Sequence, residues 1–175
     1  MPTSSDHGKD TILTWLEQRD NINKIIDVGC GEGTYPTIYK EKNAVLSKAQ
    51  WWGIEAWEPY IAEFELDKKY DRIFNEDVRN FDWSNVSGFD LAIFGDILEH
   101  MTKEEAQRTV DNALEYVRSV LISIPVKHMP QGAVGGNPFE IHVKDNWTHQ
   151  EVLESFPHIK ESRATKKIGV YWIEK

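Results

Sequence analysis

Short apolar runs alternate along this chain with stretches whose apolar residues recur every three or four positions. The runs at 24–28 (K-I-I-D-V), 50–56 (Q-W-W-G-I-E-A), 71–75 (D-R-I-F-N), 89–94 (F-D-L-A-I-F) and 119–124 (S-V-L-I-S-I) read as five buried strands. Helical spacing lies between them. In an N-terminal segment, 1–22, Ile12, Trp15 and Leu16 share one face before Asp20 and Asn21 break the pattern. A helix is predicted from Thr34, with Pro36 tolerated in its first turn, and another over 59–69. Thr102 and Glu105 have capping-box spacing, and Ala106, Val110, Ala113, Leu114 and Val117 then line one side. Thr148 and Glu151 repeat that box, with Trp147 and Val152 placed as a hydrophobic staple and Pro157 as a stop. Around Gly169 the segment 161–174 is predicted to form one or two strands. Trp51 and Trp52 are adjacent in a strand, so one should face each side of the sheet.

Strands alternating with helices imply an α/β fold, with parallel strands joined by right-handed crossovers and covered on both faces. Ligands of such sheets bind beyond the carboxyl ends of the strands, where strand order reverses. The chemistry is therefore expected in the turns that follow each strand. Residues 125–147 carry Pro125, Pro130, Gly132, Gly135, Gly136 and Pro138, and are predicted to be an irregular substrate lid.

At 175 residues the chain suits one domain, 1–175. Its formal net charge of −9 disfavours broad nucleic-acid binding, which relies on clustered Lys and Arg, without excluding a local basic patch. A single cysteine, Cys30, permits no disulfide within the chain. No run approaches the roughly 18 apolar residues of a membrane span, and residues 1–9 are polar, without a signal-peptide core. These features predict a cytoplasmic protein with no membrane partner.

Asp27-Val28-Gly29-Cys30-Gly31-Glu32-Gly33 follows the first strand. Its glycines fall as G-x-G-x-G. The G-x-G-x-x-G of nicotinamide and flavin folds would need a small residue where Thr34 stands. Glu55-Ala56 follows the second strand, Glu76-Asp77-Val78 the third, and G-D-I-L-E-H, residues 95–100, the fourth. Glu55 lies 26 positions after Gly29, near the roughly 20 of related dinucleotide folds.

I-I-D-V-G-C-G-E-G-T, with those three turns in that order, resembles the class I S-adenosylmethionine-dependent methyltransferases across residues 24–126. The resemblance implies a three-layer Rossmann-like sandwich, a mostly parallel sheet of seven or slightly fewer strands with helices on both faces. It implies S-adenosyl-L-methionine as cofactor. The backbone of Gly29, Cys30, Gly31 and Gly33 would receive the methionine end, with Asp27 bracing the loop. Glu55, beside Ala56, would accept the ribose hydroxyls. Asp77, followed by Val78, would meet adenine, with Glu76 as the substitute. Asp96 would lie nearest the reacting methyl, with Glu99 and His100 one turn on.

Methyl transfer needs alignment and, for many acceptors, a general base. His142, in the expected lid, and His100 are the candidates, with Asp96 beside them. The primary reading assigns no metal. Asp96, Glu99, His100 and His142 also resemble the metal site of RNA 3′-terminal 2′-O-methyltransferases, which pair E-x-x-E-H with a later His; here Asp96 stands in place of the first Glu. Adenine-N6 enzymes carry D/N-P-P-Y/F/W after the fourth strand, where this chain has G-D-I-L. The leading expectation is methylation of a small molecule. The alternatives are a nucleic-acid or protein methyltransferase, disfavoured for nucleic acid by charge, and an inactive cofactor-binding partner subunit.

Overall fold

The computed structural model describes residues 7–19 and 21–175, so Asp20 and the first six residues lie outside it. Seven strands form one sheet in the order β3-β2-β1-β4-β5-β7-β6. They are β1 (Lys24–Val28), β2 (Gln50–Ile54), β3 (Arg72–Phe74), β4 (Phe89–Gly95), β5 (Val117–Pro125), β6 (Ile159–Ala164) and β7 (Ile168–Glu174). The first five are mutually parallel; β7 runs antiparallel to both β5 and β6. Strand order reverses between β1 and β4, and this is the switch point at which α/β sheets open a crevice.

Helices cover both faces: α1 (Lys9–Glu17), α2 (Thr34–Lys42), α3 (Glu58–Glu63), α4 (Leu66–Lys69), α5 (Lys103–Tyr116) and α6 (His149–Ser155). Successive strand residues point to opposite sides, which divides the core in two. Ile26, Val28, Ala92, Phe94, Val120 and Ile122 pack with Ala106, Val110, Val152 and Phe156 of α5 and the α6 region. Ile25, Leu91, Ile93 and Leu121 pack with Ile12, Leu16, Tyr35 and Tyr39 of α1 and α2. Trp51 enters the second core and Trp52 abuts the first, one on each face as the alternation requires. Among the described residues no helix is long and apolar enough to cross a membrane.

Several boundaries differ from the sequence pattern. Residues 59–69 form two short helices, separated at Glu65, whose φ of 50° is left-handed and cannot continue a helix. Val117 is the first residue of β5, so α5 runs into its strand with no connecting loop. Thr102 and Glu105 form the full capping box. At α6 only half of one forms. Thr148 accepts from the Glu151 amide, but the Glu151 carboxylate turns to Lys103 and Lys144. Trp147 is buried in the first core and stacks near Phe156, with ring centroids 6.3 Å apart. Residues 126–147 are irregular apart from a 3₁₀ turn at Pro138–Glu140 and an isolated bridge between Val134 and Asn137.

Candidate active site

Strand register brings the key turns level. Val28 lies opposite both Ile54 and Phe94, and Ile54 lies opposite Phe74. The residues just past these ends, Gly29, Glu55, Asn75 and Gly95, therefore emerge at one height, and Gly29, Glu55 and Gly95 border one cleft with Glu76 and Asp77. The Cys30 amide continues the ladder onto the Ile54 carbonyl (3.1 Å), and the Glu55 amide onto the Phe74 carbonyl (2.9 Å).

The first turn needs its glycines. Gly29, Gly31 and Gly33 all have positive φ, at 62°, 50° and 75°. A Cβ on Gly29 would lie 2.1 Å from Ile97 Cδ1, so the bare backbone also makes room for the turn after β4. Gly29, Cys30 and Gly31 line the cleft. Gly33 does not. It precedes α2, and its open side is filled by Lys69 and Tyr70, so its glycine answers to packing and φ rather than to a ligand. Cys30 is a buried free thiol.

Asp27, at the start of this turn, accepts a hydrogen bond from the Tyr70 hydroxyl on its Oδ2 at 2.6 Å. Burial pushes the Asp27 carboxyl up to about 7; the Tyr70 bond and the charge of Lys9 offset only part of that. Glu55 is 5% exposed. Its Oε2 accepts from the Gly31 amide and its Oε1 from the Trp57 amide, both at 2.9 Å. Burial raises the Glu55 carboxyl, and the amide bonds oppose that rise. Asp77 caps the turn at Val78–Asn80 through the Arg79 amide and is gripped by the Arg79 guanidinium. Burial would raise Asp77, but the Arg79 bonds outweigh it and hold the group below its ordinary value. Ala56, Glu76, Asp77 and Val78 all line the cleft beside Glu55.

Asp96 closes the opposite wall. It has a φ of 53°, uncommon for a residue with a Cβ, and such conformations persist where the surroundings enforce them. Its amide donates to the Ser123 carbonyl of β5 (2.8 Å). Gly95, just before it, has no room for a side chain: a Cβ would meet the Tyr35 ring at 2.2 Å.

No protein-family model matches the chain, and no curated protein sequence matches it. Solved structures do. The N-terminal domain of EvdMO1 with SAH bound is 14% identical, with a TM-score of 0.68 over 98% of this chain and 82% of that one. Magnesium protoporphyrin IX methyltransferase (ChlM) from Synechocystis PCC 6803 with bound SAM is 15% identical, with a TM-score of 0.66 over 95% and 77%. The methyltransferase domain of bacterial CtHen1 is 19% identical, with a TM-score of 0.67 over 95% and 96%. The fold is that of the class I S-adenosylmethionine-dependent methyltransferases.

In this methyltransferase fold the remaining side of the cleft is built by the segment after β5. Asn137, Pro138, Phe139, Glu140, Ile141 and Val143 line it, facing Ile97, His100 and Met101. The Asn137 side chain accepts from the Phe139 amide (2.9 Å) and so sets the 3₁₀ turn. Glu140 is 8% exposed. Its Oε2 accepts from Gln131 (3.1 Å), and its Oε1 faces the Tyr60 hydroxyl of α3 (3.4 Å). Tyr60, Asn137 and Glu140 were not singled out from the sequence. Asn before Pro is a turn signal that could have flagged Asn137, whereas nothing local marks Tyr60, which reaches the cleft only through the packing of α3.

The structure brings both histidines together, with ring centroids 4.9 Å apart. They occupy different places. His100 is among the residues lining the cleft, and His142 is reached through the His100 ring. A carbonyl can only accept, so His100 donates Nδ1–H to the Ile141 carbonyl (3.1 Å) and His142 donates Nδ1–H to the Met129 carbonyl. Burial lowers the His100 imidazole, favouring its neutral form.

Glu99 is 3% exposed, and its Oε2 has no hydrogen-bond partner among the described residues. Burial raises this carboxyl well above its ordinary value, and the charge of Asp96 adds to the effect. Glu99, His100 and His142 each offer one ligand atom within 4.8 Å of the others. Two ligands about 2.1 Å from one ion can be at most about 4.2 Å apart, so this set is slightly open.

Proposed function

We propose that this protein binds S-adenosylmethionine and transfers its methyl group to a small-molecule acceptor. One convergence carries the reading: the bare backbone at Gly29–Gly31, the Glu55 carboxylate and Asp77 meet on one cleft at the tips of adjacent parallel strands. The Gly31 and Trp57 amides each hold one Glu55 oxygen, which fixes the carboxylate plane that would accept a vicinal diol. Asp77 and Glu76 stand one strand further, at the distal end expected for a purine. Asp96, across the cleft, meets the sulfur end.

When bound, S-adenosylmethionine supplies an electrophilic methyl: the acceptor's lone pair forms the new bond to carbon while the carbon–sulfur pair stays on sulfur. The chain's residues align and shield this in-line exchange. Phe139, Ile97 and Met101 exclude water from the reacting end. His100, which lines the cleft, takes the proton that an oxygen acceptor must shed. His142 packs against the His100 ring and positions it.

Calorimetric titration with S-adenosylmethionine and with S-adenosylhomocysteine tests the reading. Saturable one-to-one binding is expected, and a folded protein that binds neither removes it.

A second reading is favoured by Glu99, His100 and His142. Two imidazoles with Nδ1 engaged by carbonyls, beside a buried carboxylate oxygen lacking a partner, form a donor set suited to a divalent cation. The three side chains would hold the ion, which would supply Lewis-acid activation of an acceptor oxygen; His100 would then be a ligand and not a base. Equilibrium dialysis against Mg²⁺, Mn²⁺ and Zn²⁺ separates the readings. Tight binding lost in Glu99→Gln supports the metal, and full activity after chelation refutes it.

A further inference from the structure

The segment after β5 presents apolar side chains to solvent as well as to the cleft. Its two arms run side by side: the Met129 amide donates to the Asp145 carbonyl (2.7 Å) and the His142 amide to the Gln131 carbonyl (3.0 Å). The Val143 and Lys144 amides both donate to the Glu99 carbonyl (2.9 and 3.0 Å), which seats this ribbon on the turn after β4. Phe139, Ile141 and Val143 line the cleft and are also 37%, 40% and 54% exposed. Of the large apolar side chains exposed to this degree among the described residues, only Val45 and Tyr116 lie elsewhere. Single exposed apolar residues are ordinary, whereas several gathered at one cleft mouth mark a surface that meets something.

Basic residues border the same surface. At the root of the ribbon the Val126 amide donates to the Lys167 carbonyl (2.8 Å), which joins it to the turn between β6 and β7. That turn lies at the cleft end of the sheet, because Pro125 pairs with Ile168 and β5 runs parallel to β4. β7 is two strands from β4, a lateral step of about 10 Å. Lys127, Arg163, Lys166 and Lys167 are exposed there. Across residues 160–167 the single acid is Glu161, and Arg19 holds it. The whole chain carries a formal net charge of −9, so an anionic surface repels most of the molecule while it attracts this end. Such an asymmetry fixes which way the molecule faces as it approaches.

We propose that this end of the protein docks on an anionic lipid surface, with Lys127, Lys166 and Lys167 among the headgroups and Phe139, Ile141 and Val143 in the interfacial layer, so that the cleft opens toward the bilayer. Lysines near an anionic leaflet supply attraction that salt screens, and apolar side chains that enter the interface add burial that salt does not remove. A single-stranded nucleic acid would also meet the lysines, but it calls for stacking faces, and the rim offers one ring, Phe139, beside two aliphatic side chains. Docking of this kind needs no spanning helix. The expectation of no membrane partner rests on the lack of a spanning run and does not bear on it. An acceptor dissolved in the bilayer would then reach the cleft without crossing water.

Sedimentation of the full chain with phosphatidylcholine vesicles, with and without phosphatidylserine, tests the proposal. Phosphatidylserine should tighten binding at least tenfold at low salt, and added salt should reverse most of that gain. Lys166→Glu combined with Lys167→Glu should weaken binding at least tenfold. Lys48→Glu, just before β2 at the opposite end of the sheet, should leave it unchanged. Ile141→Ser combined with Val143→Ser should weaken the binding that survives in high salt. Equal binding to both vesicles, indifference to the Lys166 and Lys167 changes, or tighter binding of a short single-stranded RNA than of the phosphatidylserine vesicles overturns the proposal. Sedimentation requires no cofactor, so its outcome is distinct from that of the S-adenosylhomocysteine titration that tests methyl transfer.

Discussion

Glu55 Oε2 accepts a hydrogen bond of 2.9 Å from the Gly31 amide, tying the end of β2 to the turn after β1. The bond does two things. It satisfies a buried amide in a turn with positive φ, and it fixes the carboxylate before any ligand arrives. Glu55→Ala removes the diol acceptor and leaves that amide unpaired. Affinity for S-adenosylmethionine should fall by about 1–3 kcal/mol, the range for unpairing a buried polar group. Calorimetric titration of the variant beside the parent measures it, and unchanged affinity would place the ribose elsewhere.

Gly29 is enforced by Ile97 as much as by its own φ. In Gly29→Ala the new methyl meets Ile97 at Cδ1 (2.1 Å), Cγ1 (3.0 Å) and Cβ (3.4 Å), so the isoleucine must leave its packed rotamer. A loss of about 1–3 kcal/mol from overpacking is expected, with roughly 1–2 kcal/mol more from the left-handed backbone. Urea unfolding of Gly29→Ala and of Gly29→Ala with Ile97→Ala separates the parts: the second change should recover the packing loss and leave the backbone loss.

Asp27 makes stability depend on pH. Its carboxyl is raised in the folded protein from 3.8 to about 7, so between those values the folded state holds a proton that the unfolded chain has released. Stability should therefore fall as pH rises through that window, by up to about 1.4 kcal/mol per pH unit, and level off above it. Asp27→Asn keeps an acceptor for Tyr70 and removes the titration. Denaturant unfolding from pH 5 to 8 should show the parent losing stability relative to this variant, and parallel curves would refute the assignment.

The two helix starts should respond differently. Thr102→Ala breaks a complete capping box and should cost about 1 kcal/mol. Glu151→Gln at α6 should cost less, because Glu151 makes partly exposed ion pairs with Lys103 and Lys144 rather than a reciprocal cap. Thermal unfolding of the two variants under one set of conditions checks the order.

The strands were legible because burial on both faces leaves nearly continuous apolar runs, as at Ile25–Val28 and Leu91–Phe94. Glu55 was legible because its register with Gly29 follows from parallel pairing. The break at Glu65 was not, since residues 59–69 are compatible with one helix and only the left-handed backbone divides them. Gly33 matched a glycine spacing while answering to Lys69, because spacing records where a side chain is missing and not what fills the gap. His100 and His142 are 42 positions apart in sequence, and only the path of the segment after β5 could bring their rings together. Tyr60 and Glu140 meet across the cleft in the same manner, through tertiary packing that carries no local signature.

β7 is made after β6, yet it is laid down between β5 and β6. Until it arrives, β5 shows one open flank to its surroundings, and the run Val120–Ile124 there is almost wholly apolar. Such a flank is a template for pairing with other chains. Ile168–Glu174 covers that flank, so shortening the chain before this strand is expected to leave an edge that associates with other copies.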